Sequence, residues 1–573
     1  MWMLLLIGCG AGQTSLGEIF REDSRPGSMV RIASFLRRSP AYREGTPVAV
    51  GVIEGGLLGV SLEGGSPWRF EHPIQQRPEV TGSVVVGLGG GELFALRAAT
   101  GTLLWTRPAT GMRLIGAGDD GEMTVATLAS VSRPRSMVLV VGRDGQVLRQ
   151  LETERTLGRP AALLGLIFLP WSERHITAYD VLLGQEVARL SFRRGIFSAL
   201  VDGGALFFGG SSLVRLDEQI ALWPADELPR AEIPELPLLP SPRLVPRLED
   251  ARSLHAGYPD RVRAYARPTL PGENLGLVGG RYFLAYHQAI LARRVDGDFP
   301  VWVRVLSDPT LGGDVYQGGL ALCDQQGKVH LLGEARGFLE ATLDLGQPVL
   351  SCVVQGAGLI REESQRHPDA LPEQLAAVLR APSSALVPLQ RELLGMLGRM
   401  GDAVTTQVLI DLCMDPRTPV IWLEELHALV ALRRNGVGAM LAALRRRPQG
   451  DERPPPVASL AQALRALGES SAAPLLLDHL ESEMTSAWSR PALAEALEEL
   501  ASPRDLPRLH ERFEVLRRED SESARLAALA LARGLIRLGH STGVKLVAKA
   551  AEAPDTTARL RRELAMLAPK QRR

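Results

Sequence analysis

The chain has 573 residues, with 65 basic and 65 acidic side chains and no net charge at pH 7. This length exceeds one ordinary hydrophobic core, so we expect at least two domains. The charge balance removes the broad positive field that nucleic-acid binders carry, and we predict no nucleic-acid partner. A hydrophobic content of 45% with 23% charged residues is typical of globular proteins and argues against wholesale disorder.

The first residues are apolar and lead to a cysteine, in the order Leu6-Ile7-Gly8-Cys9. A small residue directly before a cysteine resembles the lipobox of bacterial lipoproteins, although no Lys or Arg precedes Cys9 as in an ordinary secretion signal. The resemblance implies a signal segment at 1–9, lipidation of Cys9 and a membrane anchor to which each buried methylene contributes about 0.8 kcal/mol. Gly10 is not the Asp that resembles an inner-membrane retention signal, which favours the outer membrane, facing the periplasm. A linker or partly ordered segment is predicted at 10–45.

Residues 46–360 consist of short apolar runs broken by Gly and Asp turns, which predicts many antiparallel strands. The segments Val48–Trp68 and Val84–Trp105 repeat one order of three strands. This order, with a turn at Gly101 and a tryptophan at Trp105, resembles the repeat of quinoprotein-like β-propellers. The resemblance implies that Trp105 docks between blades and that the ring has about seven blades; six or eight also fit the spacing. Closing the ring removes free sheet edges.

The segment 222–271 interrupts this pattern with many prolines. Because proline cannot donate to a sheet ladder, we predict an exposed insertion between blades. A partner could bind it as a polyproline segment, although a plain surface loop is the preferred interpretation.

From 361 to 573, apolar residues recur every three and four positions, which predicts amphipathic helices. A short motif beginning with Leu and ending in Gly or Ala returns at intervals of about 35, 32, 33 and 38 residues. Such a period indicates a solenoid of helical hairpins that stack to cover apolar faces. The hairpins resemble HEAT repeats, although the fixed Asp and Arg of strong HEAT units are not consistently present. The copies are Leu397–Gly401, Leu432–Gly436, Leu464–Gly468, Leu497–Ala501 and Leu535–Gly539.

The three cysteines beyond Cys9 do not form a metal motif, because no Cys-x-x-Cys pair or His-rich neighbour accompanies them. Cys323 and Cys352 fall in strand-like segments, and Cys413 falls in a helical one. Two interpretations are open for the first pair: buried free thiols, or a disulfide if the compartment is oxidising.

No catalytic motif is present in the sequence. It lacks His-Glu-x-x-His, Gly-x-Ser-x-Gly and the phosphate-binding Gly-x-x-x-x-Gly-Lys-Ser/Thr loop. Quinoprotein dehydrogenases hold their quinone beneath adjacent cysteines, and this chain has no adjacent pair. We therefore predict no catalytic residues, no cofactor and no metal.

These patterns favour a non-catalytic interaction scaffold at the bacterial cell envelope. Protein partners would bind the propeller face and the solenoid groove, while the lipid anchor binds the membrane. A narrower hypothesis is an outer-membrane assembly factor, because the lipoprotein of the β-barrel insertion machinery is also a quinoprotein-like propeller; the helical half has no counterpart there. The alternative, by analogy of fold alone, is an enzyme or small-molecule sensor that uses the propeller channel.

Overall fold

A computed structural model describes residues 19–20, 32, 45–191, 195–202, 205–209, 213–216, 230–231, 263–265, 281–294, 299–333, 337–356 and 371–568. The chain divides into two compact units, Met1–Pro368 and Asp369–Arg573. Cys9 and most of the predicted linker lie outside the described residues, as does most of the proline-rich segment.

The first unit contains seven four-stranded antiparallel sheets, the arrangement of a β-propeller. Each sheet is a meander of strands consecutive in the chain, except that one sheet combines the first and last strands. Short apolar runs between Gly and Asp turns produce this pattern, since each run is long enough for one strand only. From the inside outward, the first three sheets are β28 (Ser351–Gln355), β1 (Val48–Ile53), β2 (Gly56–Ser61) and β3 (Trp68–Glu71); β4 (Glu79–Thr81), β5 (Val84–Gly89), β6 (Glu92–Arg97) and β7 (Leu103–Pro108); β8 (Met112–Asp119), β9 (Met123–Ser130), β10 (Ser136–Gly142) and β11 (Val147–Thr153).

The remaining sheets follow the same plan. The fourth and fifth are β12 (Ala161–Leu163), β13 (Leu166–Trp171), β14 (His175–Asp180) and β15 (Gln185–Ser191); β16 (Ser198–Asp202), β17 (Ala205–Gly209), β18 (Leu213–Leu216) and β19 (Arg230–Ala231). The sixth and seventh are β20 (Arg263–Tyr265), β21 (Arg281–Tyr286), β22 (Ala289–Arg294) and β23 (Pro300–Val305); β24 (Thr310–Tyr316), β25 (Gly319–Asp324), β26 (Lys328–Leu332) and β27 (Leu339–Asp344).

Two of these strands lie inside the range 222–271 that the sequence assigns to an insertion. β19 completes the fifth sheet, and β20 begins the sixth. Proline is absent from both strands, so each can donate to its ladder. The described part of this range therefore belongs to two sheets.

The core of the first unit lies between neighbouring sheets. Separate apolar clusters join the first sheet to the second, the second to the third, the third to the fourth, the fourth to the fifth and the sixth to the seventh. A further cluster joins the seventh sheet back to the first. Ile19 and Ile32, from the amino-terminal segment, are buried in two of these clusters. In these six pairs, neighbouring sheets hide apolar faces against each other, as stacked blades do.

The last strand, β28, pairs antiparallel with the first, β1, in a register that places Val50 opposite Val353. The same strand is also linked covalently to the seventh sheet. A disulfide joins Cys352 in β28 to Cys323 in β25, with the Cα atoms 6.3 Å apart. Both cysteines are fully buried. The carboxyl-terminal strand is therefore fixed to the first sheet by hydrogen bonds and to the seventh by a disulfide.

Tryptophans of the outermost strands pack against turn glycines of the next sheet. A Cβ atom at Gly101 would overlap the ring of Trp68 in the preceding sheet, and one at Gly337 would overlap the ring of Trp302. Trp105 stands in the same relation to Gly145, where a Cβ atom would lie 3.1 Å from its own Cβ. All three glycines have positive φ, so the turn and the close approach both require glycine.

We expect Gly101→Ala to lower the free energy of unfolding of the β-sheet unit by about 2–4 kcal/mol, because backbone strain adds to overpacking against Trp68. Gly55→Ala is the matched control, since Gly55 also has positive φ but has open space around it. Gly55→Ala should lower the free energy of unfolding by about 1 kcal/mol. Urea unfolding of both variants measures the difference, and equal losses would contradict the packing argument.

The second unit is helical, and its helices form two rows. In one row α1, α3, α5, α7 and α9 contact one another in succession; in the other, α4, α6, α8 and α10 do so. Three copies of the repeated sequence motif end a helix, Leu432–Gly436 directly follows the end of α4, and Leu535–Gly539 directly precedes a break in α10 at His540. The helices are α1 (Leu371–Arg380), α2 (Val387–Arg399), α3 (Ala403–Met414), α4 (Leu423–Ala431), α5 (Val437–Arg445), α6 (Val457–Leu467), α7 (Ala473–Glu481), α8 (Arg490–Leu500), α9 (Leu506–Leu516), α10 (Glu522–Glu552) and α11 (Ala558–Leu567).

Small residues let the helices of the second row approach closely. Gly534 in α10 faces the backbone of α8, where a Cβ atom would lie 3.3 Å from Cα of Glu498. Both helices also contain buried alanines, among them Ala494, Ala496 and Ala527. Close packing of alanine-rich faces accounts for the composition of this half of the chain.

Candidate functional site

The turns that follow the innermost strands form one candidate site, which we call the rim. Hydrogen bonds from backbone and side-chain groups link the innermost strands and turns of five of the seven sheets. The bonds are Gly356 N to Asp314 Oδ2 (2.8 Å), Gln355 Nε2 to the Gly82 carbonyl (2.8 Å), Ser83 N to Asp119 Oδ2 (3.0 Å) and Gly165 N to Asp120 Oδ2 (2.8 Å). They connect five successive sheets, the seventh and then the first to the fourth, so the polar groups of the rim serve to hold the sheets together.

Asp119 is the central acid of the rim. Its buried carboxylate accepts hydrogen bonds from Ser83 Oγ (3.2 Å) and Thr124 Oγ1 (3.1 Å), and Arg143 Nη2 lies 3.4 Å away. Burial raises the pKa of Asp119, while Arg143 and the hydrogen bonds act in the opposite direction. The Ser83 hydroxyl also accepts from Arg143 Nη2 at 2.6 Å. The Ser83 hydroxyl thus accepts from a guanidinium and donates to a carboxylate that is itself beside that guanidinium, so Ser83, Asp119 and Arg143 form one hydrogen-bonded group.

A second set of charges lies along the innermost strands. Glu79 in β4 forms an ion pair of 2.9 Å with Arg159, whose aliphatic part passes over Gly116 in β8 so closely that a Cβ atom there would lie 2.5 Å from Cγ. Arg77 donates to the carbonyl of Cys352 at 2.7 Å. Arg77 links the segment before the second sheet to the first sheet, and the Glu79–Arg159 pair reaches from the second sheet across β8 of the third to the segment before β12.

In the helical unit, a cleft of about 360 Å³ opens beside the turn after α3. Asp415 lies within it and binds both Arg417 Nη2 (2.8 Å) and Arg380 Nε (2.7 Å). Hydrogen bonds from Arg417, with the charge of Arg380, hold the pKa of Asp415 well below its usual value. Arg446 pairs with Glu452 at 2.5 Å and lies 3.5 Å from Asp411. Three arginines and three carboxylates therefore neutralise one another, and the cleft has no charge excess for a charged ligand.

Other arginines close helix ends. Arg433 Nη2 donates to the Leu397 carbonyl of α2 at 2.8 Å, and Arg537 Nη2 donates to the Ala501 carbonyl after α8 at 2.8 Å. The last carbonyls of a helix have no intrahelical partner and carry partial negative charge, so both contacts are favourable. Burial lowers the pKa of Arg433. Because Arg433 donates to main-chain carbonyls at the end of α2, it links two successive helical hairpins.

Within the ranges that the structure describes, no group of three or more His, Cys, Asp or Glu side chains is placed to hold a metal ion. In the same ranges, no helix combines the length and apolar character that a membrane crossing requires. Cys9, the one site residue predicted from sequence, lies outside the described residues, and its lipidation stays a prediction.

Sequence reasoning missed a set of large apolar side chains exposed on turns. In the helical unit Met484 is 92% exposed and Trp488 is 89% exposed. In the β unit Leu182 is 76% exposed at the turn between β14 and β15. Exposed apolar groups of this size mark interaction surfaces when they cluster. The short run that ends in Trp488 has no helical or strand period, which is the one signal that could have placed it on a turn.

No protein-family model matches the chain, and no curated protein does. Among solved structures, the chain is similar to BamB from Moraxella catarrhalis at 16% identity and a TM-score of 0.28, over 52% of this chain and 84% of that one. It is similar to the computationally designed Ika8 protein at 11% identity and a TM-score of 0.32, over 50% and 91%. Hsv2 from Kluyvelomyces marxianus matches at 7% identity and a TM-score of 0.29, over 48% and 81%. These low similarities assign the chain to no family.

Proposed function

We propose that this chain is a non-catalytic scaffold for protein partners at the bacterial cell envelope. The observation that carries the proposal is a contrast between its polar and apolar side chains. The charged groups described above at the rim, along the innermost strands and in the cleft are paired with one another or with backbone, while large apolar side chains are exposed on turns. In the ranges that the structure describes, this contrast favours binding through exposed apolar surfaces over chemistry at the paired polar groups.

The proposal includes a ring of seven blades. Its support is the pairing of β28 with β1 and the apolar cluster between the seventh sheet and the first. A closed ring covers the faces of the blades against one another and presents a broad rigid face. The quinoprotein-like repeat is likewise part of the proposal, supported by the contacts of tryptophans with turn glycines.

For the helical unit we propose a HEAT-like α-solenoid. Two rows of helices in sequential contact support it, as does the return of the sequence motif at intervals of about 32 to 38 residues. Stacked hairpins have a continuous core and leave one extended surface for partners.

The proposed location rests on two features of the chain. The lipobox-like sequence at Cys9 would supply acyl chains for anchoring in the outer membrane, and the disulfide between Cys323 and Cys352 is of the kind that persists in oxidising compartments such as the periplasm. A place in an envelope assembly complex is the narrower form of the proposal.

We expect Cys9→Ser to move the protein from the membrane fraction to the soluble fraction of the envelope, because one residue carries the entire anchor. Fractionation followed by immunodetection and metabolic labelling with a fatty-acid analogue measures the change. Cys413→Ser is the control, since that buried thiol has no role in anchoring. If the Cys9→Ser variant is recovered in the membrane fraction and labelled with the fatty acid as strongly as the wild type, Cys9 does not carry a lipid anchor.

The scaffold role itself is tested by purifying the tagged chain from detergent-solubilised membranes under crosslinking. A stoichiometric protein partner, recovered again when that partner carries the tag, supports the proposal. A purified chain that instead turns over or binds a small metabolite through the channel, with no protein partner, would contradict it.

A further inference from the structure

The turn between α7 and α8, residues 482–489, presents two large apolar side chains to solvent. Met484 is 92% exposed and Trp488 is 89% exposed. The turn is held in place, because Ser489 N donates to the Ser486 carbonyl at 2.9 Å and Ser523 Oγ donates to the Ala487 carbonyl. A tryptophan held on a fixed turn loses little conformational entropy when a partner covers it, which is the property of a binding anchor.

The position of this turn follows from the order of the helices. It joins a helix of one row to a helix of the other, as do the turns after α5 and α9. Contacts tie these turns together: His479 at the end of α7 lies 2.8 Å from the Leu444 carbonyl at the end of α5, and Arg490 pairs with Glu519 on the next turn at 2.6 Å. The turns therefore lie along one edge of the helical unit.

The charges beside Trp488 decide which partner fits. The arginines nearest to it are already paired, Arg490 with Glu519 and Arg508 with Asp478 and Glu481. Glu483 on the same turn and Asp520 on the next turn have no ion pair in the described part of the chain. The patch therefore has an excess of free negative charge around its apolar centre.

We propose that this patch, Glu483, Met484, Trp488 and Asp520, docks a basic segment of a protein partner that carries apolar side chains. The inference rests on the proposed scaffold function and adds the surface and the chemistry of its partner. Arginine or lysine would pair with the two free carboxylates, and a guanidinium can also stack on the indole face. Apolar side chains of the same segment would cover Met484 and the rest of Trp488.

Charge separates this partner from the other candidates. An anionic lipid surface or a nucleic acid would meet free carboxylates of its own sign and be repelled. A second copy of the same patch would bring Glu483 and Asp520 against their equivalents. The turn after α5 differs in charge, because it carries Arg447 and directly follows Arg445, the last residue of that helix, so the docking surface is centred on Trp488.

The test uses the full chain and two fluorescein-labelled amphipathic peptides of equal length, one of leucine and arginine and one of leucine and glutamate. Fluorescence anisotropy should show binding of the arginine peptide, weakened about tenfold or more by Trp488→Ala. Leu182→Ser, which removes an exposed leucine of the other unit, should leave the affinity unchanged. The double variant Glu483→Lys with Asp520→Lys should weaken the arginine peptide and gain binding of the glutamate peptide.

Several results would overturn the inference. They are equal binding of both peptides, arginine-peptide affinity that Trp488→Ala leaves unchanged, Trp488-dependent binding to phosphatidylglycerol vesicles, or a Trp488-dependent dimer in sedimentation. Purification of the protein partner distinguishes failure of the Trp488 surface from failure of the scaffold proposal. If the Trp488→Ala chain recovers its envelope partner as well as the wild type does, the scaffold stands and this surface is wrong. If no partner is recovered while the arginine peptide binds through Trp488, the surface stands and the scaffold role fails.

Discussion

Replacing Trp302 with alanine is expected to lower the free energy of unfolding of the β-sheet unit by about 3–5 kcal/mol. Trp302 in β23 is fully buried and lies between the sixth sheet and the turn glycine Gly337 of the seventh. Arg304, two residues further on, donates to the Gly337 carbonyl at 2.8 Å. Removing the indole leaves a cavity between two sheets that are already fixed by their other contacts, so the site cannot collapse to fill it.

Trp488→Ala is the matched control, because it makes the same chemical change at a side chain that is 89% exposed. It should alter the free energy of unfolding by no more than about 0.5 kcal/mol. Urea unfolding of the full chain, followed by the fluorescence of the remaining tryptophans, measures both variants. If the two substitutions lower the free energy of unfolding equally, Trp302 does not fill the space between the sixth and seventh sheets.

Removing the disulfide with Cys323→Ala and Cys352→Ala together is expected to lower the free energy of unfolding of the β-sheet unit by about 3–4 kcal/mol. The bridge closes a segment of 29 residues, and opening that loop returns conformational entropy to the unfolded chain. It also holds β28, the strand that completes the first sheet. The β-sheet unit of the wild-type chain should therefore unfold at lower urea concentration after reduction.

The control for this experiment is Cys413→Ala, which removes the buried free thiol of the helical unit. That variant should keep the wild-type response to a reductant, because its disulfide is intact. The double variant should show no response. A double variant whose stability equals that of the oxidised wild type would contradict a stabilising role for the bridge.

The tryptophan contacts show what a repeat in sequence can and cannot predict. Trp68, Trp105 and the turn at Gly101 indicate a propeller repeat, because a tryptophan returns at the same place in each three-strand repeat. The partner of each tryptophan lies in the following sheet: Trp68 meets Gly101, and Trp105 meets Gly145. A local sequence pattern predicts a strand and which of its faces is buried. Which neighbouring sheet covers that face depends on how the sheets stack.

The proline-rich range shows a different limit. Proline content marks 222–271 as unsuited to a sheet ladder, yet β19 and β20 lie within it and belong to the fifth and sixth sheets. Both strands are short and free of proline. An average over fifty residues hides segments of this length, and only their pairing with β18 and β21 identifies them as strands.

By itself, the sequence determined two kinds of structure in order, short strands with glycine turns and then amphipathic helices at a regular spacing, because period and turn residues are local properties. It also indicated the lipobox-like Cys9, which only experiment can test. The tertiary structure alone decided that Cys323 meets Cys352, that β28 completes the first sheet, and that Trp302 is buried while Trp488 is exposed. Pairing and burial depend on neighbours distant in the chain, and no local pattern encodes which neighbours those are.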